Sequence, residues 1–401
     1  MVGYRMRILF IPASAPSHYF PMVPLMWACR TAGHDVCVAA QPWGESAVVS
    51  SGLSMVTIAK SFDMTEELAR HRRRGPVETA PGAPPALYQT LVDAQVRFAM
   101  EAADDVVSLA RDWRPDLVVA DPLVLAAPLA AAAADAPLVH HLWGPDLLRG
   151  SGYGYPGCGM APDDWPEPLL ELYARHGCEP RTENAVTAVD PWLESMQICE
   201  IPSRIPLRFV PYNGTHVLPP SVLAPAKKRR VLLTWGSMLV IRDGIEAFPV
   251  ADVVKTLHEH DVEIVLAVRG ADRGLVPDLP SGATVVENVP LNAIMPTCDA
   301  VVHHGGAGTI MTAAYYGVPQ LGVAATRDVQ TCCARLAATG AGIAVNREDA
   351  TVDALASAVS SLLTSDRIGT AATALRGEVL AQPSPAEVTD RLAVLAAGSS
   401  Q

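Results

Sequence analysis

Asp299-Ala300-Val301-Val302-His303-His304-Gly305-Gly306-Ala307-Gly308-Thr309, which runs on through 310–316 to Gly317-Val318-Pro319-Gln320, is the stretch that decides the fold. Its short apolar run, its glycines and the residues after them predict a strand, a tight turn and a helix closed by Gly317 and Pro319. Glycines without a β-carbon let backbone approach a ligand closely. A helix start presents unpaired N–H groups and a partial positive charge, the environment a diphosphate requires. A histidine directly before such a turn, His303, is read as a functional residue rather than a packed one.

Outward from this turn, strand patterns recur at 231–234, 262–268, 283–289 and 342–345, alternating with helical windows. The other half of the chain repeats the arrangement, with strands expected at 7–12, 35–39, 53–58, 116–120 and 137–141 and a helix over 21–32 ended by Gly33. The expected fold is therefore α/β, two Rossmann-like doubly wound domains facing each other across a cleft. The first domain spans 1–215. A Pro-rich stretch over 216–229, with a basic run at its end, reads as a linker without regular structure, and the second domain spans 230–382. Gln382-Pro383-Ser384-Pro385 breaks one helical pattern before another at 386–397, a helix expected to pack back on the first domain.

Composition excludes several function classes. A chain of 401 residues with a formal charge of −12 is a poor partner for nucleic acid, whose binding depends on clustered Lys and Arg. The most apolar stretch, 117–139, carries Asp121, Asp135 and prolines 122, 128 and 137, so it reads as buried strand, turn and Ala-rich helix, not as a membrane span. The N-terminus runs into a strand without a signal-type segment, which implies a cytoplasmic protein. Eight cysteines lack any C-x-x-C pair, and no D-x-D carboxylate pair is present to hold a divalent metal. No catalytic metal and no cofactor are expected.

Two further constellations face the carboxyl ends of the first-half strands. The loop after the first strand, 13–21, delivers His18 there, and Asp121 follows the strand at 116–120. Imidazole is suited to take a proton near neutral pH, and a carboxylate can fix its tautomer. Asp121 has a second reading, as a helix N-cap ahead of Pro122. Gly152-Tyr153-Gly154-Tyr155-Pro156-Gly157 fits the dinucleotide pattern G-x-G-x-x-G by letter, but no strand leads into it and no amphipathic helix follows. It reads either as a lid or as an ordinary exposed loop.

The stretch 299–309 resembles the nucleotide-diphosphate motif of the GT-B antibiotic, or natural-product, glycosyltransferases, relatives of the plant secondary-product glycosyltransferases. Val289-Pro290-Leu291-Asn292, Thr234-Trp235-Gly236-Ser237 and His141-Leu142-Trp143-Gly144-Pro145-Asp146 are also similar to family segments, so the resemblance covers nearly the whole chain. It implies an inverting, metal-independent transferase that moves a deoxysugar from a TDP-sugar to a small-molecule aglycone. His18 would be the base and Asp121 its orienting carboxylate. His303 would hydrogen-bond the diphosphate with Gly305, Gly306, Gly308 and Thr309, Ser237 would approach from the facing turn, and Val289 would lie beside the base. His141, Trp143, Tyr153 and Tyr155 would contact the acceptor. Asp328 and Gln330 would meet the sugar, but Val329 occupies the place of the family's sugar-binding Gln. A sugar hydroxyl buried against that apolar side chain would lose about 1–3 kcal/mol, which favours a deoxygenated sugar; alternatively Gln330 takes over through a shifted helix start. An epimerase of the same fold and a non-catalytic auxiliary of a glycosyltransferase are the competing readings, and a homodimer is left open.

Overall fold

The computed structural model describes residues 5–13, 15–64, 66–67, 86–236 and 238–398. Contacts divide the chain into two units, Met1–Pro191 with Cys199–Leu207 and Pro383–Gln401, and Trp192–Ile198 with Arg208–Gln382. The sequence reading sets the linker at 216–229, whereas residues from Arg208 onward, and the short Trp192–Ile198 segment before them, cluster with the second unit. Within that stretch Pro220–Leu223 forms one helical turn. Proline is well suited to a first helical position because its missing N–H has no intrahelical acceptor there.

The first unit contains β1 (Arg7–Ile11), β2 (Asp35–Ala40), β3 (Met55–Thr57), β4 (Leu117–Ala120), β5 (Leu138–His141), a short pair β6 (Tyr155–Pro156) and β7 (Gly159–Met160), then β8 (Thr187–Asp190) and β9 (Arg204–Pro206). All but the short pair form one sheet in the order β3-β2-β1-β4-β5-β8-β9, every pairing parallel. The central strands β4 and β5 are buried along their whole length, while edge strands β3 and β9 are only half-buried. This is the pattern of a parallel sheet covered by helices on both faces. The Ala-rich helix Ala127–Ala134 supplies part of that cover and ends on Asp135 in the left-handed region.

The second unit contains β10 (Arg230–Thr234), β11 (Glu263–Val268), β12 (Thr284–Glu287), β13 (Ala300–His303), β14 (Gln320–Ala324) and β15 (Gly342–Asn346), in the order β12-β11-β10-β13-β14-β15, again all parallel. Helix Val250–His258 shows how the layers form. Val250, Val253, Val254 and Leu257 repeat at helical spacing and are buried, and Asp252 and Lys255/His258 complement the positive and negative ends of the helix. The last helix, Pro385–Gly398, starts at a capping box in which Ser384 N–H and Oγ–H donate to Glu387 Oε2 (2.8 and 2.7 Å) and Glu387 N–H donates to Ser384 Oγ (3.3 Å). That helix belongs to the first unit, where Thr389 Oγ1 lies 3.5 Å from Cys29 Sγ.

Each sheet reverses its strand order once, between β1 and β4 in the first unit and between β10 and β13 in the second. In open parallel sheets the carboxyl ends at such a reversal leave a crevice where ligands bind. Among the described residues no helix is long and apolar enough to cross a membrane.

Candidate functional site

At the first reversal, the turn after β1 enters the short helix Pro16–Tyr19 and the segment after β4 begins at Asp121. His18 Nδ1–H donates to Asp121 Oδ2 at 2.7 Å, with His18 slightly exposed and Asp121 fully buried. Asp121 Oδ1 accepts the Leu123 N–H at 2.9 Å. Asp121 is therefore not a helix N-cap, since the next helix starts at Ala127 with Ala126 as its N-cap; one carboxylate oxygen closes a turn with Leu123 and the other meets His18. With Nδ1 committed as a donor, the neutral ring carries its lone pair on Nε2. The half-buried Trp143 ring lies 4.5 Å from the His18 ring.

The other expected acceptor contacts divide. His141, at the end of β5, is fully buried and donates Nδ1–H to the Leu142 carbonyl at 2.8 Å, and burial lowers its pKa to about 4. Tyr153 is exposed and its ring lies 5.8 Å from that of Tyr88, whose hydroxyl donates to the Gly154 carbonyl. Tyr155 is fully buried and donates its hydroxyl to the Leu123 carbonyl at 3.0 Å. It is a core residue here, because a side chain sealed among apolar neighbours with its one polar atom satisfied offers no surface to an acceptor. Gly152, Gly154 and Gly157 all have positive φ, and the segment contains the short strand β6, so the letter-perfect dinucleotide pattern is a loop as expected.

At the second reversal the structure corrects the role of His303. This residue is the last of β13, fully buried, and both ring nitrogens are engaged inside the protein. Nδ1 accepts the Gly305 N–H at 2.9 Å, and Nε2–H donates to Gln320 Oε1 at 3.1 Å, while Gln320 Nε2 donates to the Ile310 carbonyl at 3.2 Å. Burial lowers the His303 pKa to about 4, leaving it neutral. His303 thus ties the turn to β14 and to the following helix and has no donor left for a diphosphate. The next residue, His304, begins the turn. A β-carbon built on Gly236 would lie 2.2 Å from His304 Cε1, and one on Gly306 would lie 2.7 Å from His304 Nε2, so its ring packs on the backbone of both switch-point turns. Ser237, expected beside it, lies outside the described residues.

Helix Ala307–Tyr316 starts at Gly306 with no side-chain cap. Thr309 and Ile310 N–H both donate to the Gly306 carbonyl at 3.0 Å, so the N–H groups of Ala307 and Gly308, one turn ahead, have no intrahelical acceptor. A β-carbon on Gly308 would meet no atom within 4 Å among the described residues, whereas one on Gly305, at φ +94°, would meet Cys333 Sγ at 2.6 Å. The two glycines serve different ends, an open approach at 308 and a left-handed turn over a buried thiol at 305. Val289 is buried beyond β12, in a cluster with Ile294 and Met295. Asp328 opens the first turn of helix Arg327–Ala338 and accepts from Thr326 Oγ1, and Gln330 is half-buried. Val329 packs with Ala324 and Cys333 beneath Gly305, which occupies its side chain within the protein.

Sequence reasoning missed His304 as the turn residue, and Gln320 altogether. The signal for the first was present: His304 stands next to the glycines, past the apolar run 300–302 that marks the buried strand, and so belongs to the turn. The signal for Gln320 was weaker, a polar residue opening an apolar run.

Comparison with known proteins follows this geometry. The N-terminal model of the family described as erythromycin biosynthesis protein CIII-like matches residues 27–236, and its C-terminal model matches 251–395. A tylactone mycaminosyltransferase of Streptomyces fradiae is 33% identical over 419 residues, covering 98% of this chain and 93% of its own length. Among solved structures, the spinosyn forosaminyltransferase SpnP is 29% identical with a TM-score of 0.81, covering 98% of this chain and 100% of its own. The spinosyn rhamnosyltransferase SpnG complexed with thymidine diphosphate is 28% identical with a TM-score of 0.77, covering 96% and 100%.

Proposed function

We infer the reaction from kinship: the chain belongs to the erythromycin biosynthesis protein CIII-like family, a GT-B glycosyltransferase family, and it moves a deoxysugar from a TDP-sugar to a natural-product aglycone. The TDP part is supported by the likeness to SpnG complexed with thymidine diphosphate and by the uncapped helix start after β13. The deoxysugar part is supported by the relative named for mycaminosyl transfer, since Val329 is taken up by packing.

The observation that carries the chemistry is the His18–Asp121 hydrogen bond of 2.7 Å. His18 Nε2 takes the proton of an acceptor hydroxyl, and Asp121 holds the ring and stabilises the imidazolium formed. The acceptor oxygen bonds to the anomeric carbon as the bond to the diphosphate oxygen breaks, in one displacement that inverts the configuration. Charge growing on the departing TDP is met by the Ala307 and Gly308 N–H groups and by His304 in place of His303. No step here calls on a metal, and location in the cytoplasm suits a chain that meets nucleotide sugars.

The test is a thermal-stability screen of the purified protein against TDP, UDP and GDP, followed by turnover with TDP-deoxysugars and an aglycone panel, with the anomeric configuration of the product read by NMR. TDP should stabilise most. Indifference to all three nucleotides, or a product that retains the donor configuration, would overturn this reading. Epimerisation of a UDP-sugar without acceptor would instead favour the epimerase.

A further inference from the structure

We propose that the cavity at the carboxyl ends of β2 and β3 is a subsite for a carbonyl-bearing, otherwise apolar appendage of the acceptor, held by the side-chain amide of Gln41. The assignment of the occupant to the acceptor rests on the reading of the first unit as acceptor-binding.

Gln41 follows β2 directly and is only 4% exposed, and its Nε2 has no hydrogen-bond partner among the described residues. A buried donor left unmet is costly, and native proteins rarely keep one without a purpose. Gln41 lines a cavity of about 170 Å³ together with Pro42, Trp43, Phe62 and Met64, and its exposed rim carries the polar Lys60, Ser61 and Asp63 beside the exposed Trp43. Phe62 is held in place by Phe98 of the long helix Ala86–Trp113, ring to ring at 5.7 Å. Apolar side chains around one buried unmet donor, with polar residues kept to an exposed rim, are the composition of a ligand pocket. Its size sets the class of occupant: an engineered apolar cavity of about 150 Å³ takes benzene, so this one admits one ring or a short branched chain, not a whole aglycone. The unmet group is an N–H, so the occupant brings an acceptor oxygen, a ketone or lactone carbonyl above all.

Position connects this cavity with the reaction. β2 pairs directly with β1, Phe10 opposite Val38, and β3 with β2. With strands about 4.8 Å apart, the loops after β2 and β3 begin roughly 5–10 Å along the sheet edge from the loop that carries His18. A molecule whose hydroxyl meets His18 and whose far end fills the cavity is therefore polycyclic or macrocyclic. A single-ring acceptor would leave the subsite empty.

Cyclohexanone, a single ring with a carbonyl, tests the site without knowledge of the acceptor. Ligand-observed NMR should detect its binding to the wild-type protein, with a change in tryptophan fluorescence from Trp43. Gln41→Leu should weaken binding tenfold or more while melting no lower than wild type, since it removes a buried unmet donor; Gln41→Met serves if the leucine variant fails to fold. With any accepted aglycone that carries a carbonyl, Gln41→Leu should raise KM about tenfold and leave kcat and TDP affinity unchanged. No binding of cyclohexanone to wild type, or equal binding to the variant, overturns the subsite. A lower melting temperature with unchanged aglycone KM overturns it too and makes Gln41 a packing residue. Loss of all TDP affinity in wild type with cyclohexanone binding intact would instead remove the glycosyl-transfer reading and leave the carbonyl site standing.

Discussion

His18 and the two adjacent histidines 303 and 304 differ in what each has left to offer. His18 keeps Nε2 after giving Nδ1–H to Asp121, so His18→Ala should cost about 10²–10⁴-fold in kcat, the usual range for a lost general base, with TDP affinity and melting temperature close to wild type. Asp121→Asn should cost less in rate, because the imidazole stays but loses its charged partner. Full activity of His18→Ala across several acceptors would remove it from the mechanism. His303 has nothing left to offer a ligand, since Gly305 and Gln320 take both nitrogens. We therefore expect His303→Ala to lower the melting temperature, as loss of a buried hydrogen-bonded side chain does. His304→Ala should leave the melt nearly unchanged and weaken TDP binding by about tenfold or more, the scale of one charge-assisted contact. Calorimetric titration of TDP into both variants, beside their melting curves, separates the two. Equal TDP affinity for His304→Ala and wild type would show that the helix start alone holds the diphosphate.

The turn between β13 and helix Ala307–Tyr316 makes an opposed pair of predictions from two glycines. Gly308→Ala should raise stability slightly, since alanine in a helix is favoured over glycine by about 1 kcal/mol, yet weaken TDP binding because the new methyl stands where a phosphate would approach. Gly305→Ala should do the reverse in stability: its φ of +94° costs an L-residue about 1–2 kcal/mol or more, and Cys333 Sγ stands in the way. Gly308→Ala with wild-type TDP affinity would show that the ligand lies elsewhere. This turn was legible in the sequence because strand, glycines and helix are contiguous and each obeys a local rule. The strand after it was not: β14 is Gln320-Leu321-Gly322-Val323-Ala324, every residue buried, and a five-residue apolar run opened by a polar side chain and interrupted by glycine carries no period to read. Strands β8 and β9 escaped for a related reason, since Thr187–Asp190 ends in an acid whose partner, Arg204 Nε at 2.7 Å, comes from the neighbouring strand and neutralises it inside the sheet. Local sequence cannot announce a charge that is paid for by a residue 14 positions on. The same limit misplaced Tyr155 and hid Gln41, whose importance lies in what surrounds them.

Both units should share one acid response. His140 and His141 in the first and His303 in the second are held neutral by burial, with pKa values lowered to about 3, 4 and 4 from an ordinary 6.5. Once unfolded, each regains the ordinary value, so between about pH 4 and 6.5 the unfolded chain binds more protons than the folded one. The sign follows: each group's contribution is fully present above pH 6.5 and is lost as pH falls toward the folded value. At pH 5 the loss is on the order of 2 kcal/mol for each histidine relative to pH 7.5. Neither unit is spared, because a buried histidine is present in each. Thermal melts followed from pH 7.5 down to 5 should therefore fall steadily below pH 6.5. Unfolding enthalpies measured at pH 5.5 in buffers of different ionisation heat should register net proton uptake. A melting temperature flat from pH 7.5 to 5, or proton release on unfolding at pH 5.5, would mean that these imidazoles are not buried neutral. Nucleotide should sharpen the distinction. On the proposed placement of TDP at the turn after β13, nucleotide adds stability to the second unit by mass action, so the melt of that unit should move up at saturating TDP while the first keeps its dependence on His140 and His141. A calorimetric trace that is single at pH 7.5 should then resolve into two transitions at pH 5.5 with TDP present, the lower one unmoved by nucleotide.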